Sequence, residues 1–367
     1  MVVSYFYPFR GGAENQALVL SENLRHRGCD VSVLTRSFHT LPAVENIRTV
    51  PVYRAIKTVN ARTLFGLRYF FSCIFFMIVK RKHYDILHCH ILQGFHSIAA
   101  VIVGRLFKKK VVIKIANTGV SSDFMHVKRV LGGKYILRFL KKADRVVATS
   151  RLSALEARRE GFADAQIAMI PNGVDTRRFK PSVRCGQARS RIVCVGRLVR
   201  VKGVDILIDA FARLKREGTC TRLDIVGAGP ESTTLSVKAA NLGCDDAVIF
   251  HGEVGTVEDF FDTTCIFVQP SLAEGMSNVL LEAMACGLPV IATRTGAATD
   301  IIQDSVNGLL VDTGSAEQIC DAVRKIISDE DFAFRLGMSA RTTIEENHSI
   351  DIVTRRYMDM YRGLTAS

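Results

Sequence analysis

Two glutamates, Glu274 and Glu282, are separated by seven residues and flank a small, polar helix start, Gly275-Met276-Ser277-Asn278. Backbone N–H groups at a helix start, together with the positive end of the helix dipole, suit a phosphate. A carboxylate accepts hydrogen bonds from hydroxyls. One glutamate precedes the helix and the other lies one to two turns into it, so a ligand with a sugar on each side of a diphosphate fits the spacing. The elements that must hold this arrangement are legible around it. Cys265 to Gln269 is an apolar strand, and Pro270-Ser271 turns the chain. Ser277 to Cys286 reads as a helix closed by Gly287, with Pro289 just beyond, and Pro289 to Thr293 is the next strand.

Glu, seven residues, Glu, and then a helix ending in Gly-Leu-Pro-Val-Ile-Ala resembles the retaining glycosyltransferases of the GT-B fold, family 4 in particular. The resemblance runs through nearly the whole chain in several separated motifs. It implies an α/β GT-B protein, two Rossmann-like domains facing an interdomain cleft. It further implies that Arg197 and Lys202, in Val195-Gly196-Arg197-Leu198 and Lys202-Gly203, clamp the donor diphosphate with the amides at Ser277-Asn278. Glu282 would hold the ribose hydroxyls and Glu274 the transferred sugar, with Gly275 and Met276 between them. Val254, in His251-Gly252-Glu253-Val254, would lie near the base. In the first half, Tyr7-Pro8 and Gly11-Gly12-Ala13-Glu14 resemble the family loop that faces donor diphosphate and acceptor, which singles out Gly12. The strand Asp85-Ile86-Leu87-His88-Cys89-His90 ends as the family's does, and its second histidine, His90, would face the donor sugar. After the next strand, Lys114-Ile115-Ala116-Asn117-Thr118-Gly119 departs from the commoner family pattern, which has a histidine there. Asn117 and Gly119 are therefore expected on the acceptor side, with acceptor identity left open. No enzyme nucleophile is implied.

Several other chemistries are weaker. Strand alternation puts His88 and His90 on one face, but no third ligand is near in sequence, and no metal site is expected. Gly227-Ala228-Gly229-Pro230 follows a strand, yet Ser232 stands where a dinucleotide fingerprint has its third glycine. A nicotinamide cofactor is thus disfavoured, and the nucleotide-sugar is a co-substrate, so no cofactor is expected. The alternatives retained are a GT-B epimerase acting on the nucleotide-sugar and a non-catalytic, membrane-associated scaffold.

The chain has 367 residues, 48% apolar and 23% charged, enough for two domains. Its ten cysteines are scattered and read as reduced thiols of a cytoplasmic protein. The N-terminal sequence lacks a signal-peptide pattern. The short strand Val2 to Phe6 predicts that apolar residues precede Met1 in the open reading frame. Charge is uneven: residues 1–180 carry 30 Lys and Arg against 11 Asp and Glu, and residues 181–367 carry 19 against 25. With no nucleic-acid module in sight, an anionic membrane surface, such as an inner membrane face, is the better partner for the basic half. The apolar run Tyr69 to Val79 is shorter than the roughly 20 residues a membrane span needs. It is expected as a buried helix, with a bilayer-touching helix as the alternative.

Strands and helices alternate throughout, predicting parallel sheets covered on both faces. The expected domains are 1–178 on the acceptor side, 179–345 on the nucleotide-sugar side, and 346–367 as a terminal helix crossing back to the first. Residues 178–189 are expected as the linker. The predicted activity is transfer of a sugar from a nucleotide-diphosphate sugar to a glycan or lipid-linked acceptor in cell-surface polysaccharide or glycolipid synthesis.

Overall fold

The computed structural model describes residues 1–9, 11–58, 62–119, 122–181 and 190–366. Most of the expected linker, 182–189, lies outside the described residues. The chain forms two compact units, Met1–Gly173 with Ile350–Ser367, and Val174–Ser349. Sequence reading had placed these divisions at 178/179 and 345/346.

The first unit runs α1 (Gly12–His26), β1 (Val33–Arg36), β2 (Val44–Ile47), β3 (Val50–Ile56), α2 (Arg62–Val79), β4 (Ile86–Cys89), α3 (Phe95–Phe107), β5 (Lys110–Lys114), α4 (Asp123–Arg129), α5 (Gly133–Leu140), β6 (Arg145–Ala148), α6 (Arg151–Arg159) and β7 (Ile167–Met169). Strands β4 to β7 are parallel and sequential, and β1 lies parallel to β3, which β2 joins antiparallel. Val2 bridges both groups, parallel to Cys89 on one side and to Leu34 on the other. The expected strand Val2 to Phe6 is thus a single bridging residue, because the chain bends at Ser4-Tyr5 and turns at the cis Tyr7-Pro8 bond. The β2–β3 hairpin was not foreseen.

One sheet face carries α2, α3, α4 and α5 over a core that includes Tyr69, Met77, Leu87, Ile113, Phe124 and Leu137. Helix α2 is buried on one side only: Tyr69, Cys73 and Met77 are buried, while Phe71 and Phe75 face outward. This corrects the expectation of a buried helix. Among the described residues no helix is long and apolar enough to cross a membrane.

The second unit runs β8 (Arg191–Val195), α7 (Val204–Arg216), β9 (Arg222–Val226), α8 (Ser232–Asn241), β10 (Val248–Gly252), α9 (Glu258–Asp262), β11 (Ile266–Gln269), α10 (Asn278–Ala285), β12 (Val290–Thr293), α11 (Ala298–Ile301), β13 (Leu309–Val311), α12 (Ala316–Ser328) and α13 (Glu330–Asn347). Its sheet is parallel throughout, in the order β10-β9-β8-β11-β12-β13. The strand order reverses between β8 and β11, the position where open α/β sheets take ligands beyond their carboxyl ends. After α13 the chain re-enters the first unit as α14 (Ile350–Thr365), where Val353, Tyr357 and Leu364 pack with Leu20, Leu24, Val112, Val147 and Ile170.

Candidate active site

In the second unit the sequence-predicted residues gather on both sides of the strand-order reversal. Arg197 follows β8, and Lys202 ends a short 3-10 turn, Arg200–Lys202, just before α7. Glu274 and Gly275 follow β11 and lead into α10. The two loops are laced together: the Leu272 N–H donates to Val201 O at 2.8 Å, and Lys202 Nζ forms an ion pair with Glu274 Oε2. Ser271 Oγ donates to the same Glu274 oxygen at 3.3 Å, while Thr293 Oγ1 on β12 donates to Ser271 O at 2.5 Å. Three strand ends thereby fix one carboxylate and one ammonium side by side.

Two glycine-dependent contacts set the backbone of these loops. Gly227 and Gly229 lie so close to Gly196 and Leu198 that a Cβ on either would collide with that backbone. The Gly-x-Gly-Pro run therefore braces the loop that carries Arg197, and Leu198 N–H donates to Ala228 O at 2.9 Å. On the other side Gly296 has φ +52°, and a Cβ there would overlap the carbonyl oxygens of Glu274 and Gly275. The Ala297 N–H donates to Gly275 O at 2.9 Å. Gly296 was not singled out in sequence; it lies 22 positions beyond Glu274, and the signal was Thr-Gly-Ala-Ala directly after a strand.

The start of α10 matches expectation to within a residue. Ser277 is the N-cap, its side chain accepting from Leu280 N–H at 3.3 Å. The Ser277 hydroxyl is thus engaged in capping the helix. Glu282 lies within α10 and is buried. Burial pushes its carboxyl up to about 7, opposed by the positive charge of Arg178 and assisted by the negative charge of Glu258. Arg178 itself is ion-paired to Glu258. Val254 packs with the cluster of Phe261, Leu280 and Met284 beneath α10.

Sequence reading missed a buried charge centre in this unit. Asp224 on β9 receives Arg222 Nη2 at 2.7 Å, Arg191 Nη2 at 3.3 Å and His251 Nε2 at 2.6 Å. Burial alone would raise its carboxyl, but these partners hold it below the usual value. His251 also lies edge-on to Phe260, ring centroids 4.6 Å apart. Its ring is therefore spoken for by Asp224 and Phe260.

The first unit has a corresponding reversal of strand order between the Val2 bridge and β4. Gly12 follows the first of these and begins α1; His90 follows the second. His90 is buried and stacks on His88, ring centroids 4.5 Å apart. Burial, then the charges of His88 and Lys114, hold the His90 imidazole well below its ordinary value, so it is neutral at physiological pH. Its Nε2 lies 3.4 Å from Met1 Sδ, and among the described residues its Nδ1 has no hydrogen-bond partner. His88 is turned the other way, its Nδ1 2.6 Å from the Tyr361 hydroxyl of α14. Lys114, at the end of β5, is a buried lysine that sequence reading did not weigh. It donates to Asn172 Oδ1 at 2.7 Å, and burial lowers it to about 7.

Asn117 and Gly119, expected on the acceptor side, are held by carboxylates. The buried Asp123 carboxylate accepts from Ala116 N–H and from Asn117 Nδ2, each at 2.9 Å. Glu156 accepts from Gly119 N–H at 2.8 Å and from Ser122 Oγ at 2.7 Å. Asn117 thus spends its amide N–H on Asp123 and retains its carbonyl oxygen. Residues 120–121 of this loop lie outside the described residues. Among the described residues no group of three His, Cys, Asp or Glu is placed to hold a metal ion. The cysteines among them are free thiols, buried except for the half-buried Cys29 and Cys265.

Comparison with known proteins decides the family. The glycosyltransferase family 4 model matches residues 10–178, and the model for glycosyl transferases group 1 matches residues 176–343. The chain belongs to glycosyltransferase family 4. The GDP-mannose-dependent alpha-(1-6)-phosphatidylinositol monomannoside mannosyltransferase of Mycobacterium tuberculosis is 34% identical over 218 residues, covering 54% of this chain and 56% of the relative. The match thus spans little more than half the length of that mannosyltransferase. The N-acetyl-alpha-D-glucosaminyl L-malate synthase of Bacillus anthracis is 26% identical over 97% of this chain and 94% of its own length. Among solved structures, Anabaena HepE in complex with UDP-glucose superposes with a TM-score of 0.79 at 18% identity, over 99% of this chain and 98% of that one. Sucrose-phosphate synthase from Thermosynechococcus elongatus gives 0.80 at 22% identity, over 100% and 98%. These likenesses establish the GT-B fold.

Proposed function

We propose that this chain is a retaining, metal-independent glycosyltransferase that moves a sugar from a nucleotide-diphosphate sugar to a glycan or lipid-linked acceptor. The observation that carries this is the pairing of Lys202 with Glu274 across the strand-order reversal of the second unit, beside the start of α10. A diphosphate needs cations and amide N–H groups at one place, and a sugar needs a carboxylate within reach of its hydroxyls; both are gathered there. In this assignment Arg197, Lys202 and the backbone around Asn278 hold the diphosphate and stabilise the charge that develops as it leaves. Glu274 accepts from hydroxyls of the transferred sugar, and Glu282 from the ribose. His90, neutral and with a ring nitrogen that has no hydrogen-bond partner among the described residues, donates to or accepts from the donor sugar. Gly12 gives the diphosphate close access to the start of α1, and Asn117 and Gly119 contact the acceptor. The acceptor attacks from the face the leaving group departs, so configuration is retained without an enzyme nucleophile.

The relatives' names include a GDP-mannose-dependent enzyme acting on a phosphatidylinositol monomannoside and an N-acetylglucosaminyl malate synthase. A lipid-linked or cell-surface glycan acceptor, met by a peripheral protein at the cytoplasmic face of a membrane, is part of the same proposal. The test is a panel of UDP-, GDP- and ADP-sugars, followed by thermal shift and by product analysis with and without candidate acceptors. A ligand at 100 times its Kd adds about 2.7 kcal/mol of stability. A shift with one nucleotide-sugar class, lost in Lys202→Ala, with acceptor-dependent product of unchanged anomeric configuration, is expected. Conversion of the donor without acceptor, or inverted product, would overturn the assignment.

A further inference from the structure

Between Leu67 and Val79 the outward side of helix α2 carries a row of apolar side chains. Leu67, Phe71, Phe75 and Val79 recur every fourth residue and are all exposed, the two phenylalanines at 62% and 70%. Four-residue spacing winds them into one stripe on the side opposite the buried Tyr69, Cys73 and Met77. Helix α3 packs beside α2, α5 beside α3, and α4 beside α5, all over one sheet face, so the outer sides of the four helices form one surface. Further along that surface the α4–α5 turn presents Leu131 at 98% and Tyr135 at 79% exposure. Apolar side chains this exposed are costly in water, and a contiguous group of them marks an interaction site.

Charge selects the partner. Residues 66–83, 95–110 and 123–142, which build this layer, contain four, four and six Lys and Arg. The same three segments contain one acidic residue, Asp123, and it is buried among the hydrogen bonds of its own loop. Asp85 and Glu160, from outside the layer, engage Lys109 and Lys128. A second copy of the chain docking face to face would bring two strongly basic surfaces together. A nucleic acid would satisfy the cations but leave the phenylalanine stripe in water. A surface with negative headgroups above an apolar interior satisfies both.

We propose that the outer side of the α2–α5 layer docks on an anionic lipid bilayer, with the α2 stripe and the Leu131–Tyr135 turn entering the interface and the surrounding Lys and Arg meeting the headgroups. This rests on the proposed function in that it gives the lipid-linked acceptor a surface on which to be met. Basic residues near an anionic surface and apolar groups within it contribute independently, and only the first contribution is screened by salt.

The experiment is co-sedimentation of the full chain with phosphatidylcholine vesicles and with vesicles of equal parts phosphatidylcholine and phosphatidylglycerol. Wild type, Phe71→Ser/Phe75→Ser, Leu131→Ser/Tyr135→Ser and Lys80→Gln/Lys82→Gln are compared. Wild type is expected to partition about tenfold more strongly to the anionic vesicles, and each double variant to lose about tenfold. Equal partition to both vesicles, or undiminished binding by the phenylalanine pair, overturns the proposal. So does self-association in light scattering that the phenylalanine pair abolishes without any vesicle binding, which would make the layer an interface between copies. Lys80 is half-buried over the Tyr53 ring and the other positions are exposed, and unchanged melting confirms that the variants fold. Donor-induced thermal shift is read on the same samples. A variant that loses vesicles but keeps the donor shift isolates docking from catalysis, and normal vesicle binding without any donor shift refutes the transferase assignment alone.

Discussion

Replacing Gly296 by alanine probes the site without touching any charged group in it. Two costs arise. An alanine at φ +52° sits in the left-handed region, which disfavours an L residue by roughly 1–2 kcal/mol. The new methyl also overlaps the Glu274 and Gly275 carbonyl oxygens. An ordinary C···O separation is about 3.3–3.6 Å, so those oxygens must retreat by about 1 Å or carry Gly296 with them. The displaced carbonyl is Glu274's own, so its side chain is carried with it and the carboxylate is drawn away from Lys202 and Ser271. Misplacing a reacting group by about 1 Å lowers turnover on the order of 100-fold, equivalent to about 2.7 kcal/mol of barrier. Gly314 supplies the control: its φ is +81°, yet no atom lies within 4 Å of where its Cβ would be. Gly314→Ala should therefore lower the melting temperature by a few degrees and leave turnover unchanged. Gly296→Ala should lose stability to a similar or greater degree and about 100-fold in kcat with the donor identified from the panel. Should Gly296→Ala turn over within about twofold of Gly314→Ala, the claim that this glycine positions Glu274 fails.

Lys202→Met keeps the stem but removes the ammonium, and should lower kcat/KM at least about tenfold, about 1.4 kcal/mol; unchanged steady-state kinetics would take Lys202 out of the site. Burial raises the Glu282 carboxyl in the fold from its ordinary 4.5 to about 7. Its protonated form is the one the fold favours, so its contribution is fully present below about pH 4.5 and is lost as pH rises through about 7, to the extent of roughly 3 kcal/mol. Glu282→Gln should accordingly melt like wild type near pH 4.5 and well above it at pH 8, and a pH-independent difference between the two melting curves would count against a buried, titrating Glu282. Asp224→Asn leaves Arg191, Arg222 and His251 facing a neutral group, and should destabilise the second unit by about 3 kcal/mol; a denaturant midpoint unchanged from wild type would show that the cluster is held by something other than its charge.

The segment from Cys265 to Thr293 was legible because its boundaries are chemical: a serine cap, a glycine past the helix end and a proline beyond it. Arg197 and Lys202 were legible as cations at a strand end, but what braces them was not. The glycines that fit against Gly196, Leu198 and Glu274 are neighbours only once the strand order is known, and sequence separation conceals that order. The Asp224 centre was hidden for the same reason, its three partners coming from three strands. Helix α2 misled for another: nearly every position from Tyr69 to Val79 is apolar, so periodicity carries no phase and cannot tell the side under the sheet from the side facing out. Lys114 did leave a trace, a lone lysine in Val-Val-Ile-Lys-Ile, which reads equally well as a strand-end residue reaching solvent. The β2–β3 hairpin was lost because Val44-Glu45-Asn46-Ile47 is too short and too mixed to declare itself.

The return of α14 to the first unit has a consequence for synthesis. Val174–Ser349 is one uninterrupted stretch and can complete its core as soon as it is made, whereas the unit of residues 1–173 is finished only by residues 350–367. Leu20, Leu24, Val112, Val147 and Ile170 wait, through the translation of everything between, for Val353, Tyr357 and Leu364 to cover them. The usual vectorial order, earlier domain first, is thereby reversed for the last step of maturation. A nascent chain that stops before residue 350 exposes an apolar seam on the first unit, and a stop codon there would be felt as a lesion of the fold of residues 1–173.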